Sequence, residues 1–159
     1  VKIALKNDED YLEFMVSLQL AGISIVPFLS GDWTEEQVLV VLKSRGIIAP
    51  IDLVRLYVNQ YFTAGQIEQV VRAIGFGCVD DVVSVDEDGY PYYNEYQMYQ
   101  IVEGARFGLD YRIYLDPYLP DDEMSVIRTR LLDKKHSKES IRNKLSVAKP
   151  VMARRSLGE

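Results

Sequence analysis

The chain contains few of the cysteine and histidine side chains on which many enzymes depend. It has one cysteine, Cys78, and one histidine, His136, among 159 residues. A single cysteine excludes a disulfide within the chain and fits a reducing compartment, so we expect a cytoplasmic protein. A Gly-rich phosphate loop, a nucleophile elbow and a zinc-protease pair are missing, and His136 lacks an evident partner to orient it. We therefore expect a protein that is not an enzyme and has no metal or cofactor.

The sequence also lacks the long apolar runs of membrane proteins. The longest apolar stretch, AGISIVPFL, is interrupted by polar and breaker residues and is far shorter than a bilayer-spanning helix. The N-terminal VKIALKNDED has neither the apolar region nor the small-residue cleavage site of a signal peptide. A hydrophobic content of 48% with 26% charged residues is typical of soluble proteins, so we expect no contact with a membrane.

Charge is distributed unevenly along the chain. Residues 1–133 carry 10 Lys and Arg against 22 Asp and Glu, a net charge of −12, whereas residues 134–159 carry 8 against 2, a net of +6. We therefore divide the chain into an acidic body, residues 1–133, and a basic C-terminal helix or tail, residues 134–159. Such an asymmetry indicates a tail that either contacts an acidic partner or is simply solvated.

One pattern occurs four times in the body, as DWTEEQV at Asp32, YFTAGQI at Tyr61, YYNEYQM at Tyr92 and YLPDDEM at Tyr118. In the first three copies a Thr or Asn is followed three residues later by Gln, which is the capping box that begins a helix. The large apolar residue before each cap is placed to pack on the residue after the Gln, as a hydrophobic staple. The caps and their glutamines are Thr34 with Gln37, Thr63 with Gln66, and Asn94 with Gln97; the fourth copy has Pro120 and Glu123.

The copies predict a mainly helical domain. After each capping box the apolar residues recur at helical spacing, and Gly46, Gly77 and Gly108 follow where a left-handed residue would end the helix. A shorter apolar segment comes after each glycine, so each copy is typical of a pair of helices. We predict an irregular array of about four to five short helix-pair units, packed as one small helical domain. Residues 82–93 could instead form a small hairpin.

Two segments, NEYQMYQIVEGARFGLD and YLDPYLPDDEMSVIRTRL, resemble a short helical repeat of phage and mobile-element proteins from gut bacteria. That repeat has the form Tyr-x-Asp-Pro followed by Gln-Met-x-x-Ile-Arg. The resemblance covers residues 30–133 and rests on structural motifs. The chain departs from the repeat because Asp116-Pro117 and Ile127-Arg128 each occur once. The resemblance implies a helical array and a mobile-element context, and it implies no reaction.

Most of the eleven tyrosines lie between Tyr90 and Tyr118, and acidic residues surround the first of them. The tyrosines of one loop and one helix cannot all face inward, and exposed tyrosine is enriched in protein interfaces. We call residues 86–99 the tyrosine segment and predict that it binds a protein partner; the alternative is a well-packed aromatic unit. The predicted contact residues are Asp86, Glu87, Asp88, Tyr90, Tyr92, Glu95, Tyr96 and Tyr99.

The same stretch nearly matches a calcium-binding loop. In SVDEDGYPYYNE, residues 84–95, loop positions 1, 3, 5, 6 and 12 are Ser84, Asp86, Asp88, Gly89 and Glu95. Two features disagree with the motif. The first position lacks its usual carboxylate, and Pro91 at position 8 cannot donate the backbone hydrogen bond that pairs such loops. A calcium-binding module remains one hypothesis for residues 84–95.

Two further hypotheses concern macromolecular partners. The first is a non-enzymatic protein-interaction module, in its sharper form a phage or mobile-element inhibitor that docks on a host nuclease complex, as anti-CRISPR proteins do. An acidic body could occupy a channel built for the phosphate backbone. The second is a nucleic-acid-associated protein that binds through its basic tail, and the sequence leaves the oligomeric state open. The tail residues that would contact phosphates are Lys134, Lys135, Lys138, Arg142, Lys144, Arg154 and Arg155.

Overall fold

The structure, a computed structural model, describes the backbone of residues 2–4, 8–24, 26–28 and 31–158, with side chains at 9, 13–24, 27–28 and 31–146. The predicted mainly helical fold is confirmed. The helices are α1 (Asp8–Leu20), α2 (Glu35–Lys43), α3 (Pro50–Leu56), α4 (Ala64–Phe76), α5 (Val79–Val82), α6 (Glu95–Arg106) and α7 (Asp121–Gly158). Short 3₁₀ turns lie at Val26–Phe28, Ser44–Gly46 and Tyr111–Tyr114, and the strands are β1 (Lys2–Ala4) and β2 (Asp32–Thr34).

The two strands form a parallel pair that the sequence pattern did not predict. Ile3 lies opposite Trp33 in the register. Three residues per strand are too few to show the apolar alternation by which a strand is recognised. Trp33 is buried, and its ring meets that of Phe28 edge to face at 5.6 Å between centroids. The pair therefore joins the first described residues to the start of α2.

Each of α2, α4 and α6 begins with the predicted capping box. The N–H of Thr34 donates to Oε1 of Gln37 at 2.8 Å, and the N–H of Gln37 donates back to the Thr34 hydroxyl oxygen at 3.2 Å. The same two bonds form at the other two boxes, where Thr63 pairs with Gln66 and Asn94 with Gln97. The apolar residues of all three staples are buried: Trp33 and Val38, Phe62 and Ile67, Tyr93 and Met98.

The capping glutamines also bond to the following copy of the pattern. In each case the side-chain Nε2 donates to the backbone carbonyl of the residue that precedes the next cap: Gln37 to Phe62 at 2.6 Å, Gln66 to Tyr93 at 2.8 Å and Gln97 to Leu119 at 2.9 Å. All three glutamines are buried. An amide suits this place because it both accepts from its own cap and donates to the neighbouring backbone. Each helix start is thereby linked to the next one.

The fourth copy of the pattern starts α7 without a capping box. The carbonyl of Pro120 accepts from the N–H of Met124 at 3.0 Å, and Met124 is buried. Glu123 occupies the glutamine position, where it is exposed and has no amide to donate. The helix then continues to Gly158 instead of turning into a second short segment.

Glycine ends the helices as predicted in two of three places. Gly77 and Gly108 have φ angles of 76° and 67°, in the left-handed region that glycine favours. The prediction is wrong for Gly46, which has no positive φ and lies in the 3₁₀ turn Ser44–Gly46. That turn follows α2 directly and is closed by a bond from the N–H of Ile47 to the carbonyl of Ser44 at 2.9 Å, and Ile47 itself is right-handed.

A close approach at Gly104 fixes the Tyr111–Tyr114 turn against α6. Helix α4 packs on α2 and α6, and α6 packs in turn on α7. The hydroxyl of Tyr114 donates to the carbonyl of Gln100 at 2.6 Å, so its ring crosses α6 at Gly104. A Cβ at position 104 would lie 2.1 Å from the Tyr114 hydroxyl oxygen and 2.9 Å from Cβ of Tyr111. Only glycine allows this packing.

We predict that Gln66→Glu lowers the free energy of unfolding by about 2–4 kcal/mol, because it keeps the acceptor for the cap but turns a carboxylate towards the Tyr93 carbonyl. The matched control is Gln69→Glu, since the half-buried Gln69 serves as an acceptor for Arg72 and keeps that role. This control should change the free energy by less than about 0.5 kcal/mol. Urea unfolding measures both, and equal effects would contradict the role of the Gln66 amide.

We predict opposite effects for alanine at two helical glycines. Gly104→Ala should lower the free energy of unfolding by about 1–3 kcal/mol, because the added methyl group displaces Tyr114. Gly75→Ala, in α4, should raise it by about 0.5–1 kcal/mol, because a Cβ there meets open space and alanine is the better helix former. Thermal unfolding distinguishes the two. A stabilising Gly104→Ala would show that the turn is not held against α6.

Candidate protein-interaction surface

Residues 84–92 fold into a small hairpin-like turn, in the region where the sequence allowed one. Val85 and Pro91 form an antiparallel bridge, and the N–H of Tyr92 donates to the carbonyl of Ser84 at 3.0 Å. Inside the turn the Asp86 carboxylate accepts from the N–H groups of Asp88 and Tyr90, at 2.9 and 3.0 Å. Asp86 therefore serves the turn itself, whereas the neighbouring Glu87 and Asp88 are exposed.

Contacts with the loop before α4 hold this turn in place. The side-chain amide of Asn59 donates to the carbonyl of Gly89 at 2.8 Å. The rings of Tyr61 and Tyr90 stack with their centroids 4.2 Å apart, and both remain partly exposed. This side-chain-to-backbone hydrogen bond and the stacked aromatic pair order the turn, and one face of the Tyr90 ring remains towards solvent.

The other three predicted contact tyrosines, Tyr92, Tyr96 and Tyr99, lie just before α6 or in its first turns. Tyr92 and Tyr96 flank the cap Asn94, while Tyr93 between them is the buried staple residue. Tyr96 and Tyr99 are three residues apart and so share one side of α6. The guanidinium of Arg72, from α4, lies 5.4 Å from the centre of the Tyr99 ring. Of the predicted contact tyrosines, Tyr92 and Tyr96 are therefore the two without such a ring or cation contact among the described residues.

An ion network around the buried Glu103, next to this surface, was not singled out from the sequence. The Glu103 carboxylate is buried and pairs with Arg72 at 2.5 Å and with Arg106 at 3.3 Å. Arg72 also donates to the side-chain oxygen of Gln69. Arg72 and Glu103 occupy the same position of neighbouring copies, 31 residues apart, so the repeat offset was the signal that could have paired them. The network fixes α4 against α6 below Tyr99.

The calcium hypothesis gains no support from the geometry. The described residues contain no group of three or more His, Cys, Asp or Glu side chains that could hold a metal ion. Asp86 accepts from backbone N–H groups, as described above. Glu95, the twelfth residue of the proposed loop, is directed towards α4, where a Cβ on Gly65 would overlap its carboxylate. The carboxylates of Asp86 and Glu95 therefore point to different places and do not converge on one site.

The basic tail is the continuation of α7, which crosses residues 133 and 134 without a break. Lys134, Lys138, Arg142 and Lys144 are exposed, while the side chains of Arg154 and Arg155 lie outside the described residues. Lys135 differs from these because its ammonium group donates to the carbonyl of Phe107, at the end of α6. The predicted phosphate contact at Lys135 is therefore already occupied by a bond within the chain.

Three ionisable side chains meet between α5 and the Tyr111–Tyr114 turn. The Tyr111 hydroxyl donates to the Asp81 carboxylate. Burial, and then the nearby Asp81, raise the pKa of the Cys78 thiol to about 11. Burial and the hydrogen bond to Asp81 raise the pKa of Tyr111 as well. Cys78 is therefore a protonated core residue at neutral pH, which does not suit a nucleophile.

We predict that the protein loses stability above about pH 9. The folded-state pKa of Cys78 lies above its ordinary value of 9.0, so its contribution is complete below pH 9 and is lost as the pH rises to about 11. Over that interval the thiol should lower the free energy of unfolding by about 1 kcal/mol per pH unit. Urea unfolding of Cys78→Ala should show a slope smaller by this amount; an unchanged slope would assign the loss to other groups.

Comparison with known proteins does not assign the chain to a family. No protein family matches the chain, and no match was found among curated proteins or solved structures. Among the helices described, none combines the length and the apolar character that a membrane-spanning segment needs. We therefore base the function on the chain's own surface.

Proposed function

We propose that this chain is a non-enzymatic protein-interaction module built as an array of helix-pair repeats. The recurring glutamine bond supports the array, because the same side chain joins each capped helix to the next copy. The order of elements supports it too: α2 is followed by α3, α4 by α5, and α6 by the Tyr111–Tyr114 turn. Units that bury their apolar faces on one another hold an extended surface in a fixed shape.

The observation that carries the proposal is the exposure of the tyrosine segment on an ordered backbone. Tyr92 is 50% exposed and Tyr96 is 62% exposed, on either side of Asn94, the cap of a complete capping box. Aromatic side chains presented in this way are typical of binding hot spots, because they offer a large contact area and lose little conformational entropy on binding. The exposed Glu87 and Asp88 add negative charge beside them.

The charge of the body favours a basic partner. Residues 1–133 carry a net charge of −12, and complementary charge steers association and selects between partners. Proteins that handle nucleic acid have basic channels for the phosphate backbone. Together with the resemblance of residues 30–133 to repeats of phage and mobile-element proteins, this favours an inhibitor that docks on a host nucleic-acid-handling complex, such as a CRISPR nuclease.

We predict that alanine at Tyr92 and Tyr96 together weakens partner binding at least about 30-fold, as the loss of about 2 kcal/mol at a hot spot requires. The measurement is affinity capture with the full chain from nuclease-treated host lysate, followed by titration of the captured protein. Nuclease treatment removes any protein that is bridged by nucleic acid. The two substitutions spare Tyr90 and Tyr99, whose rings contact Tyr61 and Arg72.

Tyr118→Ala is the matched control. Tyr118 is 94% exposed and lies outside the tyrosine segment, so its loss should leave affinity and stability unchanged. A partner that binds the Tyr92 and Tyr96 variant as tightly as the unaltered chain would exclude this surface. Capture that disappears after nuclease treatment would exclude protein docking as the primary activity.

A further inference from the structure

A groove of about 320 Å³ lies between the turn that ends α6 and the central part of α7. Residues 108–110 form one side of it. The other side is α7, which contributes Leu131 at one end and Arg142 at the other. The groove is separate from the tyrosine segment, since none of residues 86–99 lines it.

The bond from Lys135 to α6 sets the rotation of α7 about its axis. The Lys135 ammonium reaches the carbonyl of Phe107, where a cation is also favoured by the negative end of the helix dipole. Gly108 leaves room for it, because a Cβ there would lie 3.1 Å from the ammonium nitrogen. Leu131, one turn earlier, packs against the core. Because Lys135 and Leu131 both hold α7, the rotation of the helix is fixed, and this decides which of its side chains face the groove.

Three cations form a regular row along this groove. Lys134, Lys138 and Arg142 follow one another at intervals of four residues, and all three line the groove and are exposed. Four residues of α-helix span about 6 Å, so the three charges extend over about 12 Å. Within residues 31–146, none of the three takes part in an ion pair or a side-chain hydrogen bond.

The groove has a positive balance although the body is acidic. Its acidic residues are Asp110 and Glu139, and Glu139 lies 4.0 Å from the ammonium of Lys135. That proximity associates Glu139 with Lys135, so Asp110 alone opposes the three cations of the row. Because the whole chain has a net charge of −6, an anion is attracted to this groove and repelled by most of the remaining surface.

We propose that this groove binds the phosphate backbone of a nucleic acid, with Lys134, Lys138 and Arg142 each contacting a phosphate. The phosphates of one duplex strand follow at about 3.4 Å along the axis, so two steps cover about 7 Å, close to the spacing of the cations. Evenly spaced cations match the evenly spaced phosphates of a nucleic acid. The carboxylates of an acidic protein surface have no such regular spacing. This binding is independent of docking through the tyrosine segment, because the two surfaces share no residue.

The test is fluorescence anisotropy of the full chain with labelled mixed-sequence oligonucleotides of about 20 residues, duplex DNA and single-stranded RNA, at several salt concentrations. Three phosphate contacts predict a slope of about −3 in log affinity against log salt for the duplex, and about −2 for the single strand. The triple variant Lys134→Gln, Lys138→Gln and Arg142→Gln should lose at least about 10-fold in affinity at low salt, and most of this slope. Lys135 is left in place, so α7 keeps its contact with α6.

The control variant removes three exposed cations outside the groove and outside the tail, with Lys43→Gln, Arg45→Gln and Arg55→Gln. It changes the net charge equally and should keep its affinity within about twofold if the groove is the site. Equal losses in the two variants would overturn the proposal in favour of diffuse charge attraction. Absence of binding by the unaltered chain at about 50 mM salt would overturn it as well. Displacement by polyglutamate at lower concentration than by oligonucleotide would assign the groove to an acidic protein instead.

Discussion

The side-chain amide of one glutamine per capped helix is the contact on which the arrangement of the helices depends. Its oxygen completes the start of its own helix, and its nitrogen bonds to the backbone in front of the following helix. The amide is buried, so breaking either bond would leave a polar group without a partner, at a cost that exceeds the value of the bond itself. Local helix formation and long-range packing are thus coupled through one side chain. The elements that carry the tyrosines and the groove are positioned by the same contacts.

Local features of this fold were predictable from the sequence, whereas long-range contacts were not. Capping boxes depend on residues three apart, and a glycine at the end of a helix acts on the preceding turn, so both are visible in a short window. The second bond of Gln66 reaches a carbonyl 27 residues away, and nothing in a window around Gln66 names that acceptor. The strand pair at Ile3 and Trp33 and the bond from Lys135 to Phe107 also join residues that are distant in sequence.

The sequence indicated where the candidate surfaces lie, but it did not show which of their residues are exposed. Composition marked residues 86–99 and the basic tail. The structure separates their members by role: Asp86 folds back into its turn, Glu95 faces α4, and Lys135 holds α7. The residues that remain open to solvent, among them Tyr92, Tyr96 and Lys138, are fewer than composition alone indicates. Exposure after folding depends on neighbours that are distant in sequence, which is why it could not be read from the tyrosine or lysine content.

The replacement of glutamine by Glu123 in the fourth copy gives the proposed array a direction. A unit inserted ahead of α7 would find a donor before it, since Nε2 of Gln97 donates to backbone carbonyls, which every residue has. A unit inserted after the start of α7 would find no such donor. Duplication of a unit ahead of α7 would therefore keep the glutamine contact, whereas duplication after the start of α7 would lose it, and the residues at each junction would be free to diverge.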